Sequence, residues 1–305
     1  MKLSDIKRVL ILGAGTMGQQ IGLEFAIHGY EVVFYDLTDE ILEKAVKRVA
    51  KLGSWYASTG RITSEQLQQT LARVSSTTDP AEAAREADLV SESVLEEPEV
   101  KAEVFARFNQ LCPERTVFTT NTSMLVPSMI AEETGRPDRF CALHFHDLRA
   151  NNVVDVMPHP GTDPEVTRLV HDFAVSNGLI VIMLHRENNG YVFNTMLSTL
   201  FFSALTLASR DVATVEDIDR AWMGVTLMPM GPFGIMDQVG LSTVWHITDY
   251  WAKKTGDRQS RMNADFLKPY VDRGDLGYKT GRGFYSYPNP VYGAPGFLTG
   301  EAREK

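Results

Sequence analysis

The chain opens on short apolar runs that alternate with amphipathic stretches. Residues 9–12 are continuously apolar, as in a buried strand, and residues 17–28 follow with helical periodicity. Residues 31–35 repeat the strand pattern. Residues 40–52 then place Ile41, Leu42, Ala45, Val46 and Val49 on one helical face. Further strands are predicted at 89–90, 116–119, 140–145 and 153–157. Strands separated by helices imply a mostly parallel sheet. Residues 53–73 depart from this rhythm. They are polar, carry a Ser58-Thr59-Gly60 turn with a helix expected after it, and read as an insertion.

Beyond residue 187 the strand pattern stops. Helical periodicity runs through 191–209, 215–223, 239–251 and 264–271, broken at Gly231-Pro232. The apolar stretch 191–209 is interrupted at helical spacing by Asn194, Thr195, Ser198, Thr199, Ser203 and Thr206. It therefore predicts a buried helix with a polar stripe, since a span in lipid needs about 20 mostly apolar residues. The expected architecture is α/β, with a Rossmann-like doubly wound, mostly parallel sheet over 1–187. An all-helical domain follows over 188–285, and an extended tail over 286–305.

Composition narrows the function. A chain of 305 residues suits about two domains, and 44% hydrophobic with 23% charged residues is ordinary globular usage. The net charge of −9 argues against nucleic acid or an anionic membrane surface as partner. Cys112 and Cys141 lie in no metal-ligand spacing and read as free thiols of a reducing compartment. The N-terminal apolar run is too short for a signal-peptide core, so a cytoplasmic location is expected.

Chemistry enters at Gly13-Ala14-Gly15-Thr16-Met17-Gly18, between the first strand and the first helix. In that setting Gly13 makes the tight turn and Gly15 lets the backbone approach a pyrophosphate. Gly18 brings helix and strand together, and the helix start at Thr16 and Met17 faces the phosphate charge. Asp36 ends the second strand, where a carboxylate suits the two hydroxyls of an adenosine ribose and repels a 2′-phosphate. NAD is thereby favoured over NADP. Four further segments carry reactive polar residues: 91–97 with Lys101, 120–123, 143–147 with Asp155, and 188–194. The first three follow strands, where ligands of open α/β sheets bind, and the fourth lies at the expected domain junction. His144 and His146 share a strand face with Asp147 or Asp155 nearby. An alternating pair is thin support for a metal site, and none is expected.

Taken in order, these features resemble the NAD-dependent 3-hydroxyacyl-CoA dehydrogenase family over roughly residues 6–287. The matching stretches are GAGTMG, the Glu96 and Lys101 pair, NTS at 121–123 and LHF at 143–145. They continue with the helix start at 190–194, MGPF at 230–233, Asp237 with VGL, and GYKTGRGFY at 277–285. The likeness leans toward a subgroup that includes a diketoreductase, whose members carry paired asparagines like Asn151-Asn152. The resemblance implies that His144 is the acid/base and that Asp155 stands where the family has an orienting Glu. It implies Ser123 and Asn194 as ligands of the substrate oxygen, Glu96 and Lys101 near the nicotinamide ribose, and Asn121 among the cofactor residues. It also implies a homodimer paired through the helical domain.

The family pattern His-Phe-Phe-Asn-Pro is altered to His144-Phe145-His146-Asp147-Leu148, and the run before MGPF to Val225-Thr226-Leu227-Met228. The implied reaction is interconversion of a 3-hydroxyacyl compound and its 3-oxo form, with the CoA thioester as family default. One alternative is a free 3-hydroxy, 3-oxo or 3,5-dioxo acid or ester, with Arg149 and Asn151-Asn152 gripping a carboxylate. Lys44, Lys47, Arg48 and Lys51 share a helix that reads as a solvated face before it reads as a CoA-phosphate contact. A third reading, from another class, is an NAD-binding structural or sensor protein on the same fold.

Overall fold

The computed structural model describes residues 1–303 and divides into two compact units, Met1–Phe193 and Asn194–Lys305. The first unit runs β1 (Arg8–Leu12), α1 (Thr16–Ile27), β2 (Glu31–Tyr35), α2 (Asp39–Ser58), α3 (Ser64–Ala72), β3 (Val74–Thr77) and α4 (Pro80–Ala84). It continues with β4 (Leu89–Glu92), α5 (Pro98–Leu111), β5 (Val117–Thr120), β6 (Phe140–Phe145), β7 (Val153–Pro158), α6 (Pro164–Ser176) and β8 (Ile180–Met183). The strands form one sheet in the order β3-β2-β1-β4-β5-β6-β7-β8. All neighbours are parallel except β6 and β7. Chain order reverses between β1 and β4, so a crevice opens beyond the carboxyl ends of those two strands.

Alternation along β1 builds both cores. Val9 and Ile11 pack with Ile21 of α1, Val49 of α2 and Phe173 of α6. Leu10 and Leu12 pack on the opposite face with Ala83 of α4 and with Phe105 and Phe108 of α5. A doubly wound sheet is the arrangement in which every side chain of such a strand is buried.

Residues 53–73 continue the alternating unit and are not an insertion. α2 extends to Ser58, and Gly53 is buried where an added Cβ would come within 2.6 Å of Leu67 on α3. Thr63 caps α3 by accepting from Gln66 N, and Gln66 bonds back to Thr63 N. α3 then leads into β3. The Val-Ser-Ser-Thr pattern of β3 is polar because this is an edge strand with none of its residues fully buried. From this region Tyr56 hydroxyl and Arg61 Nη1 both donate to Leu148 O, at 3.3 and 2.8 Å, fastening the turn after β6.

The second unit is helical: α7 (Phe193–Ser209), which begins at the unit boundary, α8 (Val215–Thr226), α9 (Pro232–Val239), α10 (Leu241–Thr255) and α11 (Arg258–Arg273). The stretch expected as one helix from 239 breaks at Gly240, whose φ of +100° suits only glycine. Two buried aspartates tie the unit together. Asp219 accepts from Phe233 N, Gly234 N and Tyr285 hydroxyl. Asp237 accepts from Phe284 N, Tyr285 N and Tyr287 hydroxyl. The MGPF and GYKTGRGFY stretches thus hold their place as donors to carboxylates.

Residues after 286, expected to be extended, instead make a 3-10 turn at Val291–Gly293 and bury Phe297, whose carbonyl accepts from Arg220 Nε. α7 buries Phe201, Ala204 and Leu205 but leaves Met196, Phe202 and Leu207 exposed, so it is less buried than its pattern suggests. Among the described residues no helix is long and apolar enough to cross a membrane.

Candidate active site

The glycine loop fits a dinucleotide. Gly13 has φ +92°, and an added Cβ would lie 2.7 Å from Ser93 O at the end of β4. A Cβ on Gly18 would meet Gly13 O at 2.0 Å, so α1 approaches the loop this closely only because residue 18 is glycine. Over Gly15 there is open space within 4 Å, and the α1 N-terminus that begins at Thr16 and Met17 has no side-chain cap. Its first-turn N–H groups are available to an anion. Asp36 sits beside them. Its Oδ2 accepts from Ala14 N and its Oδ1 from Leu37 N, both at 2.8 Å, which fixes the carboxylate while lone pairs remain for ribose hydroxyls.

Beyond β4 lies a buried charge cluster. Lys101 Nζ bonds Glu92 Oε1 at 2.6 Å and Glu96 Oε2 at 3.1 Å. Glu92 also accepts from Thr120 Oγ1 and Val94 N. Glu96 Oε1 gathers Thr122 Oγ1, Ser123 N and Met124 N, so this carboxylate shapes the turn that carries Ser123. Burial opposes ionisation of Glu96, but Lys101 and these donors outweigh it and hold the carboxyl below its usual range. For Glu92, fully buried, desolvation wins over Lys101 and the pKa rises. Asn121 Oδ1 accepts from Phe145 N at 2.8 Å, tying the end of β5 to the end of β6.

The antiparallel register pairs His144 of β6 with Asp155 of β7. Directly opposed residues share a face, so the shorter Asp reaches Nδ1 of His144 at 3.0 Å. Nε2 of His144 lies 3.4 Å from Ser123 Oγ. The imidazole is also held by Tyr191, stacked on it at 4.3 Å and 10°, with its hydroxyl bonded to Thr122 O. Burial pushes His144 below its ordinary pKa; Asp155 opposes this and His146 adds to it. Burial raises Asp155, but its bonds to His144 and His146 outweigh that and lower it.

Tyr191 and Glu92 fall within the candidate segments 188–194 and 91–97 without a role of their own, and the part of His146 as a partner of Asp155 is not predicted. Tyr191 is buried at φ +52°, a conformation no local pattern announces. His146 was weighed only as half of a metal pair. The three ligand-type atoms of His144, His146 and Asp155 do lie within 4.8 Å of one another. Hydrogen bonds from both rings to one carboxylate oxygen account for that closeness. The residues of the alternative carboxylate grip are engaged within the chain. Arg149 is closed on Asp147, Nε to Oδ1 at 2.8 Å and Nη2 to Oδ2 at 2.5 Å. Asn151 accepts from Val153 N, and Asn152 donates to Gly178 O. Lys44 and Lys47 pair with Glu40 and Glu43 on an exposed face. Asn194, the second residue of α7, belongs to the helical unit.

A glycine loop, a ribose-type carboxylate and an oriented histidine define a nicotinamide-dependent oxidoreductase. Residues 8–187 match the 3-hydroxyacyl-CoA dehydrogenase NAD binding domain, and residues 190–287 match the C-terminal domain of the same family. Human mitochondrial hydroxyacyl-coenzyme A dehydrogenase is 33% identical over 290 residues, 92% of this chain and 91% of its own length. A probable 3-hydroxybutyryl-CoA dehydrogenase of Bacillus subtilis is 32% identical over 93% of this chain and 98% of its own. Among solved structures, a diketoreductase acting on dicarbonyl compounds is 38% identical, with TM-score 0.86 over 92% of this chain and 99% of that one. The chain belongs to the 3-hydroxyacyl-CoA dehydrogenase family and is an NAD-dependent oxidoreductase of the 3-hydroxyacyl type.

Proposed function

We propose that His144 is the acid/base of this enzyme, oriented by Asp155, and that the substrate is a 3-hydroxyacyl-CoA thioester. The observation that carries the acid/base role is the pairing of Nδ1 with Asp155 while Nε2 is turned toward Ser123 Oγ. A carboxylate on Nδ1 fixes the tautomer that leaves Nε2 unprotonated and stabilises the imidazolium that follows. Nε2 takes the 3-hydroxyl proton in oxidation and returns it in reduction. Held by the glycine loop and Asp36, NAD+ would supply the hydride acceptor for C3 in oxidation, and NADH the hydride donor in reduction. Ser123 and Asn194 hold the substrate oxygen, Ser123 through its nearness to His144 and Asn194 through its family match. Asp36, Gly13, Gly15, Thr16, Met17 and Gly18 hold the adenosine and pyrophosphate. Glu96, Lys101 and Asn121 order the turn beside the nicotinamide.

Arg149 is paired with Asp147 on an exposed surface, and the CoA thioester is supported by the family match over both units. The 38% identity to a diketoreductase favours a second reading, a free 3-oxo or 3,5-dioxo acid or ester. NADH consumption with acetoacetyl-CoA, set against those free compounds, separates the two: absence of turnover with the thioester overturns the first. His144→Ala is expected to bind NADH and lose at least about 10³-fold in kcat; a retained rate refutes the acid/base role. We further propose a homodimer paired through the helical unit, supported by the exposed apolar Val225, Leu227 and Met196. Sedimentation of a Leu227→Glu variant tests this. A cytoplasmic location accords with the two buried free thiols.

A further inference from the structure

Asp155 is shared in an unusual way. One oxygen, Oδ2, bonds both Nδ1 of His144 at 3.0 Å and Nε2 of His146 at 3.1 Å, while Oδ1 is buried and takes no hydrogen bond. The two imidazoles also touch, edge to face, with centroids 4.9 Å apart. One negative charge therefore serves two rings, and a proton on either ring repels a proton on the other. The two rings differ in their surroundings. His144 is enclosed by Tyr191 and nearly without solvent, whereas the His146 side chain keeps 14% of its exposure and packs its edge on Phe193. Protonation of the wetter ring costs less desolvation.

We propose that His146 is a positioning residue that shares the charge of Asp155 and so keeps His144 unprotonated as a base. The proposal rests on the acid/base role of His144. The other ionisable groups facing this pair are Glu96, which acts on His144 and is shared with Lys101, and the Tyr191 phenol, bonded to Thr122 O. Asp147, next along the chain, is occupied by Arg149. Interacting sites titrate as a pair, with the second proton displaced to lower pH.

The test is the pH profile of kcat/KM for oxidation, in wild type and in His146→Phe and His146→Gln. Phe removes both the charge and the bond to Asp155; Gln keeps a donor but cannot take a proton. In both variants the acid limb is expected to move up by about one pH unit, the size typical of a coupled pair. Histidine-labelled NMR of the cofactor-free protein gives a second readout. The His144 resonance titrates at higher pH in the Gln variant than in the wild type. A limb and a His144 titration that stay unmoved in both variants overturn the proposal. If His144→Ala keeps turnover, it is the acid/base reading that fails, whatever the profiles show.

Discussion

Replacing Lys101 with Met removes the one cation between Glu92 and Glu96 and keeps the apolar stem. Lys101 is 1% exposed and Glu92 0%, so neither charge has water as a substitute partner. At an effective dielectric constant of about 20, the 2.6 Å contact to Glu92 carries about 6 kcal/mol of attraction. The 3.1 Å contact to Glu96 carries less than its distance implies, because Glu96 is 39% exposed and screened. The variant cannot lose the full attraction, since Glu92 takes up a proton instead. Burial without a cation holds the glutamate protonated, and at pH 7, against an ordinary unfolded pKa of about 4.3, that costs about 3–4 kcal/mol. With lost hydrogen bonds the expected destabilisation is about 3–5 kcal/mol, the usual result of breaking a buried pair. The sign of the pH effect is specific. The folded pKa of Glu92 then lies further above its unfolded value. Its contribution is complete below about pH 4 and is lost as pH rises through the folded pKa. Urea unfolding at pH 5.5 and pH 8 measures this. The wild type minus variant difference should be larger at pH 8. A loss under about 1 kcal/mol, or one equal at both pH values, would refute the reasoning.

Three further outcomes are expected. Asp155→Asn keeps the shape beside His144 but removes the charge that stabilises its imidazolium, and kcat should fall by about 10²–10⁴ with NADH affinity little changed; stopped-flow binding and steady-state turnover check both halves. Asp36→Ala should weaken NAD relative to NADP by about tenfold, since its carboxylate stands fixed at the end of β2; titration with both nucleotides decides it, and an unchanged ratio counts against the ribose assignment. Asp219 is pushed up to about 6 by burial despite its backbone donors, from an ordinary 3.8. A raised acid pKa means its share of stability, about 3 kcal/mol, is present below pH 4 and lost as pH rises through 6. Asp219→Asn should flatten that part of the stability curve, and parallel wild-type and variant curves would contradict it.

Much of the first unit was legible because its strands are buried on both faces and read as apolar runs. The strands at the rims were not. β3 is Val-Ser-Ser-Thr, and β8 is only partly covered, so neither carries the contrast that marks an interior strand. The break at Gly240 was hidden because apolar periodicity continues across it, and only the dihedral angle separates α9 from α10. In the site, His144, Asp155 and Ser123 were readable from residue type, order and family likeness. Tyr191 and Glu92 were not, since their part is fixed by contacts with residues distant in sequence, Thr122 O and Thr120 Oγ1 among them. Arg149 shows the converse. Its chemistry suited a carboxylate, and its own neighbour Asp147 supplies one.

The ladder that pairs β6 with β7 divides the freedom of this enzyme to change. His144 and Asp155 face each other because they occupy opposed rungs, and neighbouring rungs hold valines that point to the other face. A slip of one residue would put Val154 or Val156 opposite the imidazole and turn the carboxylate away. Residues 146–152, between the strands, carry no such constraint of register. Apart from His146, bonded to Asp155, and the buried Leu148, their side chains can be exchanged while His144 and Asp155 stay where the sheet holds them. Substitution in that turn leaves the register intact, whereas insertions and deletions within the strands shift it.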